Sequence, residues 1–305
     1  MCGGLRISSP VCLPGRFMGG EPDLTLFEGP PRPIPPSRPP GTVIAEHISE
    51  GVCWYSFGAV ADRVVGRFYG AVEVDLDPEM RSGCYYPSPE LDRALLPMFI
   101  GGALAAFVLA HRADLVMHSS GVNVDGTALA FVGPSGAGKT TLAGIMCAAG
   151  YGLVADDMLS ISTASGIVTC MGGATELRLR ERSRGVAERL GITTATADER
   201  LVATPPISES DILPLRLVIV PLLDPAHGQV ELRRLPGAES VVSLTEHQRI
   251  SHWYSAGRRR RQFEAASRIA ASVPVLEARI PRDDFSEELA HRLADPSLLS
   301  FEADG

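Results

Sequence analysis

Hydrophobic and polar positions change their pattern along the chain in a way that predicts two regions. Residues 30–40 are dominated by proline and predict an extended, solvated strap. Apolar residues alternate or form short runs through residues 43–76, which is typical of strands. Residues 88–110 predict a helix that has Ser88 as N-cap and is kinked or divided at Pro97. The first 112 residues are therefore predicted to form a small β-rich region.

From residue 113 to residue 305, short apolar strands alternate with helical segments. Strands at 122–124 and 128–132 flank Asp125-Gly126, a pair that favours a tight hairpin turn. The second strand runs into a glycine-rich loop, and a helix over 140–149 ends at Gly150. These patterns predict an α/β domain with a mixed sheet after the β-rich region. Further strands are predicted at 153–155, 217–223 and 273–280, a hairpin turn near 165–166, and helices at 260–271 and 286–293.

Composition and charge narrow the classes of function. The net charge of −8 gives no electrostatic support to nucleic-acid binding. The six cysteines are scattered without metal-site spacing. The apolar stretch 94–110 is broken by Pro97 and two glycines, which favours a buried core helix over a membrane span. No signal peptide is recognisable, so the sequence predicts a cytoplasmic protein without a membrane partner.

Lysine use is unusual. Lysine and arginine together number 28, yet the only lysine is Lys139, so the remaining 27 (28 − 1) are arginine. A compact ammonium on a flexible stem reaches between phosphates in a way that a planar guanidinium does poorly. The position of Lys139 therefore indicates a specific phosphate contact.

Lys139 lies in a phosphate-binding loop. Residues 133–140 match the pattern G-x-x-x-x-G-K-[ST] in full, between a predicted strand and a predicted helix. Glycines let backbone amides converge on the phosphates of ATP, and the hydroxyl of Thr140 is expected on Mg²⁺. The predicted nucleotide-binding residues are Gly133, Pro134, Ser135, Gly136, Ala137, Gly138, Lys139, Thr140 and Thr141.

Two adjacent carboxylates end the next apolar strand. Asp156 lies 17 residues (156 − 139) after Lys139, and Asp157 follows it. Beside a phosphate loop, one carboxylate can order the metal shell while the other accepts a proton from an attacking hydroxyl. His118 and Glu176 are ambiguous by themselves.

Several motifs together resemble a known family. The series His118-Ser119-Ser120-Gly121, Asp125-Gly126, the phosphate loop, Asp156-Asp157 and Glu176-Leu177-Arg178 is similar to the catalytic domain of HPr kinase/phosphorylase. The likeness is close over residues 115–180 and does not extend to residues 1–110. After Arg178 the family continues with glycines, whereas this chain has Leu179-Arg180-Glu181-Arg182. The chain therefore resembles the broader HPr-kinase-like group that includes lasso-peptide tailoring kinases.

The resemblance implies a role for each matching residue. It makes Asp156 the general base, with His118 orienting or tuning it, and it assigns the nucleotide phosphates to Lys139 and the loop amides. It also implies homo-oligomeric assemblies. Thr140, Asp157 and Glu176 would surround the Mg²⁺ ion, directly or through water.

The sequence thus predicts an ATP-dependent kinase acting on a serine or threonine hydroxyl of a peptide or protein. The alternatives are a kinase of free serine, and a P-loop ATPase or nucleotide sensor. An ABC-type ATPase is disfavoured because the chain lacks an LSGGQ-like segment. Residues 258–261, four arginines preceded by Trp253 and Tyr254, could grip a carboxylate of a peptide acceptor or simply be a solvated helix face.

Overall fold

The protein is a mixed α/β fold that divides into two compact units. The structure is a computed structural model and describes residues 2–16, 19–49, 51–224, 228–250, 252–281 and 285–300. One unit contains Met1–Arg112 and Ile250–Arg261, and the other contains Ala113–Arg249 and Gln262–Gly305.

Strands dominate the first unit and form the central sheet of the second. Most have between three and nine residues, and β17 is the longest of those described. In chain order they are β1 (Ile7–Ser8), β2 (Leu24–Glu28), β3 (Thr42–Ser49), β4 (Val52–Val60), β5 (Arg63–Phe68), β6 (Val72–Leu76), β7 (Ser82–Pro87), β8 (Leu115–Met117), β9 (Ser119–Val124), β10 (Thr127–Val132), β11 (Gly152–Ala155), β12 (Leu159–Ser162), β13 (Thr169–Met171), β14 (Leu177–Leu179), β15 (Ile192–Ala195), β16 (Leu201–Ala203), β17 (Ile212–Leu223), β18 (Glu231–Arg234), β19 (His252–Trp253) and β20 (Val275–Ile280).

Helices are concentrated in the second unit. In chain order the α-helices are α1 (Leu96–Met98), α2 (Ala105–Arg112), α3 (Lys139–Ala148), α4 (Arg184–Arg189), α5 (Gly237–Glu246), α6 (Ala256–Ser272) and α7 (Glu287–Ala294). A π-helical stretch, Phe99–Leu104, joins α1 to α2. Short 3₁₀ turns lie at Arg93–Leu95, Glu181–Ser183 and Pro296–Ser300.

The first unit is built on one sheet with the strand order β1-β2-β7-β6-β5-β4-β3-β19. Alternation along its strands turns Phe57 and Phe68 inward, and Phe57 stacks there on the buried Phe107 of α2. The proline-rich strap has no regular secondary structure, as predicted.

Two ion-pair clusters hold the strap to the sheet. The carboxylate of Glu46 is 1% exposed and accepts two hydrogen bonds from Arg38 at 2.9 Å. Glu73, on β6, pairs with Arg32 of the strap and with Arg67 of β5. Because each buried carboxylate meets at least one guanidinium, the strap is anchored without leaving an unpaired buried charge.

Residues Ile250–Arg261 belong to the first unit, which differs from the predicted domain 113–305. The cause is strand pairing: β19 lies antiparallel to β3, and Trp253 is buried against Phe107 and His111. Arg258 donates to the carbonyl of Ala110 and lies over the Trp253 ring. The side chains of Trp253 and Arg258 are therefore engaged in contacts within the unit.

The apolar helix begins later than predicted. Ser88 follows β7 directly and donates its N–H to Ala71, and the helical turns begin at Arg93 with Asp92 as N-cap. The regular helix is interrupted soon after Pro97 by the π-helical stretch, in line with the predicted division. Among the residues described, Arg93–Arg112 is one segment long and apolar enough to cross a membrane. Core helices pass the same test, and half of this segment is buried.

The second unit has a mixed sheet covered on both faces. Its main path is β11-β9-β10-β17-β13-β12-β8, with β20 parallel to β17 and β18 paired to β20. Along β10, Leu129 and Phe131 pack into the core that contains α3 and α7, whereas Ala130 and Val132 pack into the core that contains α5 and α6. Burial of both faces explains why this strand reads as a continuous apolar run.

The local predictions around the glycine-rich loop are confirmed. Strands β9 and β10 pair antiparallel across Asp125-Gly126, and both turn residues have positive φ, 49° and 81°. Helix α3 spans Lys139–Ala148, and Gly150 follows it with φ of 100°. The predicted helix at 260–271 is longer at both ends, Ala256–Ser272.

A small three-stranded sheet was not predicted. Its order is β14-β16-β15, and Leu177 and Leu179 of β14 are buried in the same core as α3. The strands have three or four residues each, too short for a periodic signal to stand out. This sheet places the arginine-rich segment after Glu176 beside the phosphate loop.

Candidate active site

The loop between β10 and α3 has the backbone geometry of a phosphate cradle. Gly136 and Gly138 have φ of 90° and 92°, a region that side chains disfavour. A Cβ at Gly138 would also lie 3.3 Å from Leu223 at the end of β17. Glycine at these positions lets consecutive backbone N–H groups converge on an anion at the start of α3.

The sole lysine is folded into this loop. Lys139 Nζ donates to the carbonyls of Gly133 and Pro134 at 2.8 and 2.9 Å, and the residue is only 6% exposed. Burial lowers the pKa of Lys139 to about 8, while the carboxylates of Asp157 and Asp156 oppose that shift. The ammonium is therefore mostly charged at neutral pH and sits on the first half of the loop.

Asp156 lies at the end of β11 and is held by three donors. Its Oδ1 accepts from Ser120 Oγ at 2.8 Å and from Thr140 Oγ1 at 2.9 Å, and its Oδ2 accepts from the N–H of Arg178 at 3.1 Å. Burial raises the pKa of Asp156 above its ordinary value, although these hydrogen bonds oppose the shift. Asp156 therefore binds a proton more readily than an ordinary aspartate, and its three hydrogen bonds fix it beside the loop.

Asp157 has a different environment. Its backbone is in the left-handed region with φ of 70°, which a non-glycine residue adopts at some cost in strain. Arg249 donates to its Oδ2 at 3.1 and 3.3 Å. Burial would raise the pKa of Asp157, but the charges of Arg249, His118 and Lys139 and the hydrogen bond from Arg249 together outweigh it, and the pKa falls to about 2. Asp157 is therefore anionic throughout the physiological range.

His118 contacts the second aspartate and not the first. Its Nε2 lies 3.4 Å from Asp157 Oδ1, whereas the resemblance implied that it would orient Asp156. The reason is strand geometry: Ser120, two residues farther on in β9, reaches Asp156 instead. Burial lowers the pKa of His118 to about 4, so the ring is neutral at pH 7.

The predicted metal-site residues are only partly brought together. Thr140 contacts Asp156 and not Asp157, and Glu176 is half-buried in the loop before β14 with no described contact to either. Within the described ranges, no group of three or more His, Cys, Asp or Glu side chains is arranged to hold a metal ion. The hydroxyls of Thr140 and Ser120, 3.4 Å apart and both on Asp156, are nevertheless the hard oxygen donors that Mg²⁺ prefers.

Thr141, the last predicted nucleotide contact, turns its hydroxyl away from the loop. It is buried and bonded to the hydroxyl of Ser183 at 2.8 Å. Any contact between Thr141 and a nucleotide would therefore fall to its backbone amide.

Sequence reasoning missed several polar residues of this site. The signal that could have indicated Ser120 is its place in the segment His118-Ser119-Ser120-Gly121, on which the resemblance rests. Arg178 lies in the quoted motif Glu176-Leu177-Arg178, whereas the other arginines carried no local signal, because they follow β14 or the end of α5. The missed residues are Ser120, Arg178, Arg180, Arg182, Ser183 and Arg249.

Comparison with known proteins gives limited information. No family model matches the chain, and no curated protein matches it. Among solved structures, the Hpr(Ser) kinase/phosphatase from Coxiella burnetii is similar over 61% of this chain and 88% of its own, with a TM-score of 0.30 and 13% identity. Likeness at that level says nothing about activity, which has to be argued from the site itself.

Proposed function

We propose that this chain is an ATP-dependent phosphotransferase that transfers the γ-phosphate to a serine or threonine hydroxyl of a peptide or protein. The observation that carries the proposal is the phosphate loop with Lys139 seated in it, together with two carboxylates of opposite pKa shift beside it. A loop alone would fit any nucleotide-binding protein. The paired carboxylates at its rim supply the additional chemistry that transfer to a hydroxyl requires.

The loop residues would bind the nucleotide. Backbone amides of residues 133–140 and the ammonium of Lys139 would hold the phosphates of ATP, with the start of α3 adding positive potential. Thr140 would hold Mg²⁺ through its hydroxyl, directly or through water, and the ion when bound would neutralise charge on the phosphates.

Asp156 is the proposed base. Its raised pKa makes it the better proton acceptor of the pair, and its contact with Thr140 puts it next to the phosphate end of the site. Asp157 stays ionised and positions Arg249 and His118 around the same rim. Asp156→Asn and Asp157→Asn distinguish this assignment from the reverse one, in which Asp157 is the base.

An acceptor panel tests the proposal. The wild-type protein is incubated with Mg²⁺ and ATP labelled at the γ-phosphate, alone and with serine-containing peptides, HPr or free serine. Labelled peptide is the expected product. Preferential labelling of free serine or HPr would correct the acceptor class, and release of phosphate unaffected by any acceptor would favour the ATPase alternative and contradict the kinase.

A further inference from the structure

Two arginines in the segment that follows β14 contact the phosphate loop. Arg180 Nη2 lies 3.1 Å from Ser135 Oγ, and Arg182 Nη2 donates to the carbonyl of Gly136 at 2.9 Å. Both residues are exposed, and both contact the middle of the loop and not the helix that follows it. The structure thus brings two fixed positive charges to the rim of the cradle.

Buried residues before and after these arginines fix the segment that carries them. Leu177 and Leu179 of β14 are buried in the core, and strand alternation turns Arg178 and the following Arg180 to the opposite face. Next to Arg182, the buried hydroxyl of Ser183 is bonded to Thr141 in the first turn of α3. The buried leucines on one side and the hydrogen bond of Ser183 on the other therefore hold the guanidinium groups beside the loop.

The charge of this segment is not cancelled locally. Glu181, the acidic residue between the two arginines, is bound through both carboxylate oxygens by Arg184. Arg178 in turn pairs with Asp198. Positive charge at Arg180 and Arg182 is thus left facing the loop, where an anion would be bound.

The contacts indicate which end of the nucleotide these groups would meet. Lys139 Nζ rests on Gly133 and Pro134, and the lysine of such loops reaches the β- and γ-phosphates. Ser135 and Gly136, the residues touched by the arginines, come directly after that pair. The arginines consequently approach the same β/γ end, and not the α-phosphate side at the start of α3.

Resting on the proposed function, we propose that Arg180 and Arg182 form an arginine clamp on the terminal phosphate of ATP. On binding, their N–H groups exchange the loop contacts for oxygens of the γ-phosphate, where charge-assisted and planar donors are strongest. The clamp neutralises charge on the transferred group within the same chain, as arginines do in other phosphoryl-transfer sites. It also lets the site discriminate ATP from ADP.

The test compares affinities for two nucleotides. Mg·ATP and Mg·ADP are titrated by calorimetry into the wild type, Arg180→Gln, Arg182→Gln and the double variant. The double variant is expected to lose about tenfold or more in affinity for Mg·ATP, as for a lost hydrogen bond to a charged group, with little loss for Mg·ADP. Its turnover should fall by about 10²-fold or more.

Arg184→Gln is the matched control, because Arg184 lies in the same segment but binds Glu181. It should keep the wild-type ratio of ATP to ADP affinity. Arg180→Lys and Arg182→Lys keep the charge but lose the planar donor pair, and they should retain more of that ratio than the glutamine variants but less than the wild type.

Three results would overturn the clamp: an unchanged affinity ratio in the double variant, equal losses for both nucleotides, or the same loss in Arg184→Gln. A wild-type protein that binds no Mg·ATP would instead defeat the proposed function itself. The two failures are therefore distinguishable in one set of titrations.

Discussion

Arginines of the first unit are bound to buried carboxylates, whereas two arginines beside the phosphate loop of the second unit contact the loop itself. In the first unit, Glu46 is gripped by both arms of Arg38 and also accepts from the hydroxyl of Tyr254. Glu73 is shared by Arg32 and Arg67. In both clusters the carboxylate oxygens accept hydrogen bonds from groups of the same unit, so both carboxylates are satisfied within it.

The phosphate-loop region of the second unit has a surplus of positive charge. Arg200 illustrates it: burial lowers its pKa, and the neighbouring charge of Arg180 lowers it further. The carboxylates nearby are Asp156, Asp157 and Asp198, besides Glu181, which is paired with Arg184. The cationic residues around them are Lys139, Arg178, Arg180, Arg182, Arg200 and Arg249.

This difference separates arginines with a structural role from arginines with a proposed functional role in the same chain. Pairing with guanidinium groups lowers the cost of a buried carboxylate and fixes the fold, as the strap contacts do. A surplus of one sign, held rigid beside a loop of converging amides, is unfavourable unless an anion arrives. The same residue type is therefore a tether in one unit and a candidate phosphate ligand in the other.

The largest effect is expected from the carboxylate with the raised pKa. Asp156→Asn should lower turnover by about 10²-fold or more, as for loss of a general base, while Mg·ATP affinity is largely retained. Steady-state kinetics and calorimetry measure the two effects separately. Asp157→Asn is the paired variant and should cost less, because Asp157 acts through Arg249 and His118. A benign Asp156→Asn with a severe Asp157→Asn would reverse the assignment.

In the first unit, a comparable substitution should change stability and not activity. Glu73→Gln removes the charge that Arg32 and Arg67 share, and breaking such a buried pair costs about 3 kcal/mol in the free energy of unfolding. Asp75→Asn on the same strand breaks only a more exposed pair with Arg63 and should cost about 1 kcal/mol or less. Denaturant unfolding measures both. Equal losses, or a fall in nucleotide affinity in either variant, would contradict the comparison.

A smaller effect is expected from pH. Burial lowers the pKa of His111 to about 4, as it does for His118 in the second unit. The unfolded chain takes up a proton near the ordinary pKa of about 6.5, so it binds more protons than the folded chain below that pH. Stability should therefore fall as pH decreases from 6.5 toward 4, by about 2 kcal/mol at pH 5 for His111. The difference between wild type and His111→Phe in thermal unfolding isolates this contribution, and a difference that does not change with pH would refute it.

The phosphate loop was predictable because its information is local. Residues 133–140 specify the turn, the helix start and the lysine position within one short segment, and the Asp125-Gly126 hairpin is likewise defined by two adjacent residues. The start of the apolar helix was placed five residues early (93 − 88) because Ser88 and Asp92 are both good caps. Pairing of β7 with β6 through Pro87 decided between them, and that contact is not local.

The partners of the two aspartates could not be read from the sequence. Asp156 meets Arg178 and Asp157 meets Arg249, at separations of 22 and 92 residues. Arg178 is placed by β14, which packs against α3, and Arg249 follows α5 and donates its N–H to Val116 of β8. With 27 arginines in the chain (28 − 1), no local pattern marks the few that face the loop.

The central claim is that the sole lysine and its loop form an ATP site, and calorimetric titration of Mg·ATP into wild type and Lys139→Ala tests it most directly. Saturable one-site binding of Mg·ATP to the wild type is expected. The affinity of Lys139→Ala for Mg·ATP should be lower by about ten- to a hundredfold, as for lost hydrogen bonds to a charged group, while its circular dichroism spectrum stays unchanged. Equal affinity in the two proteins, or no binding to the wild type, would contradict it.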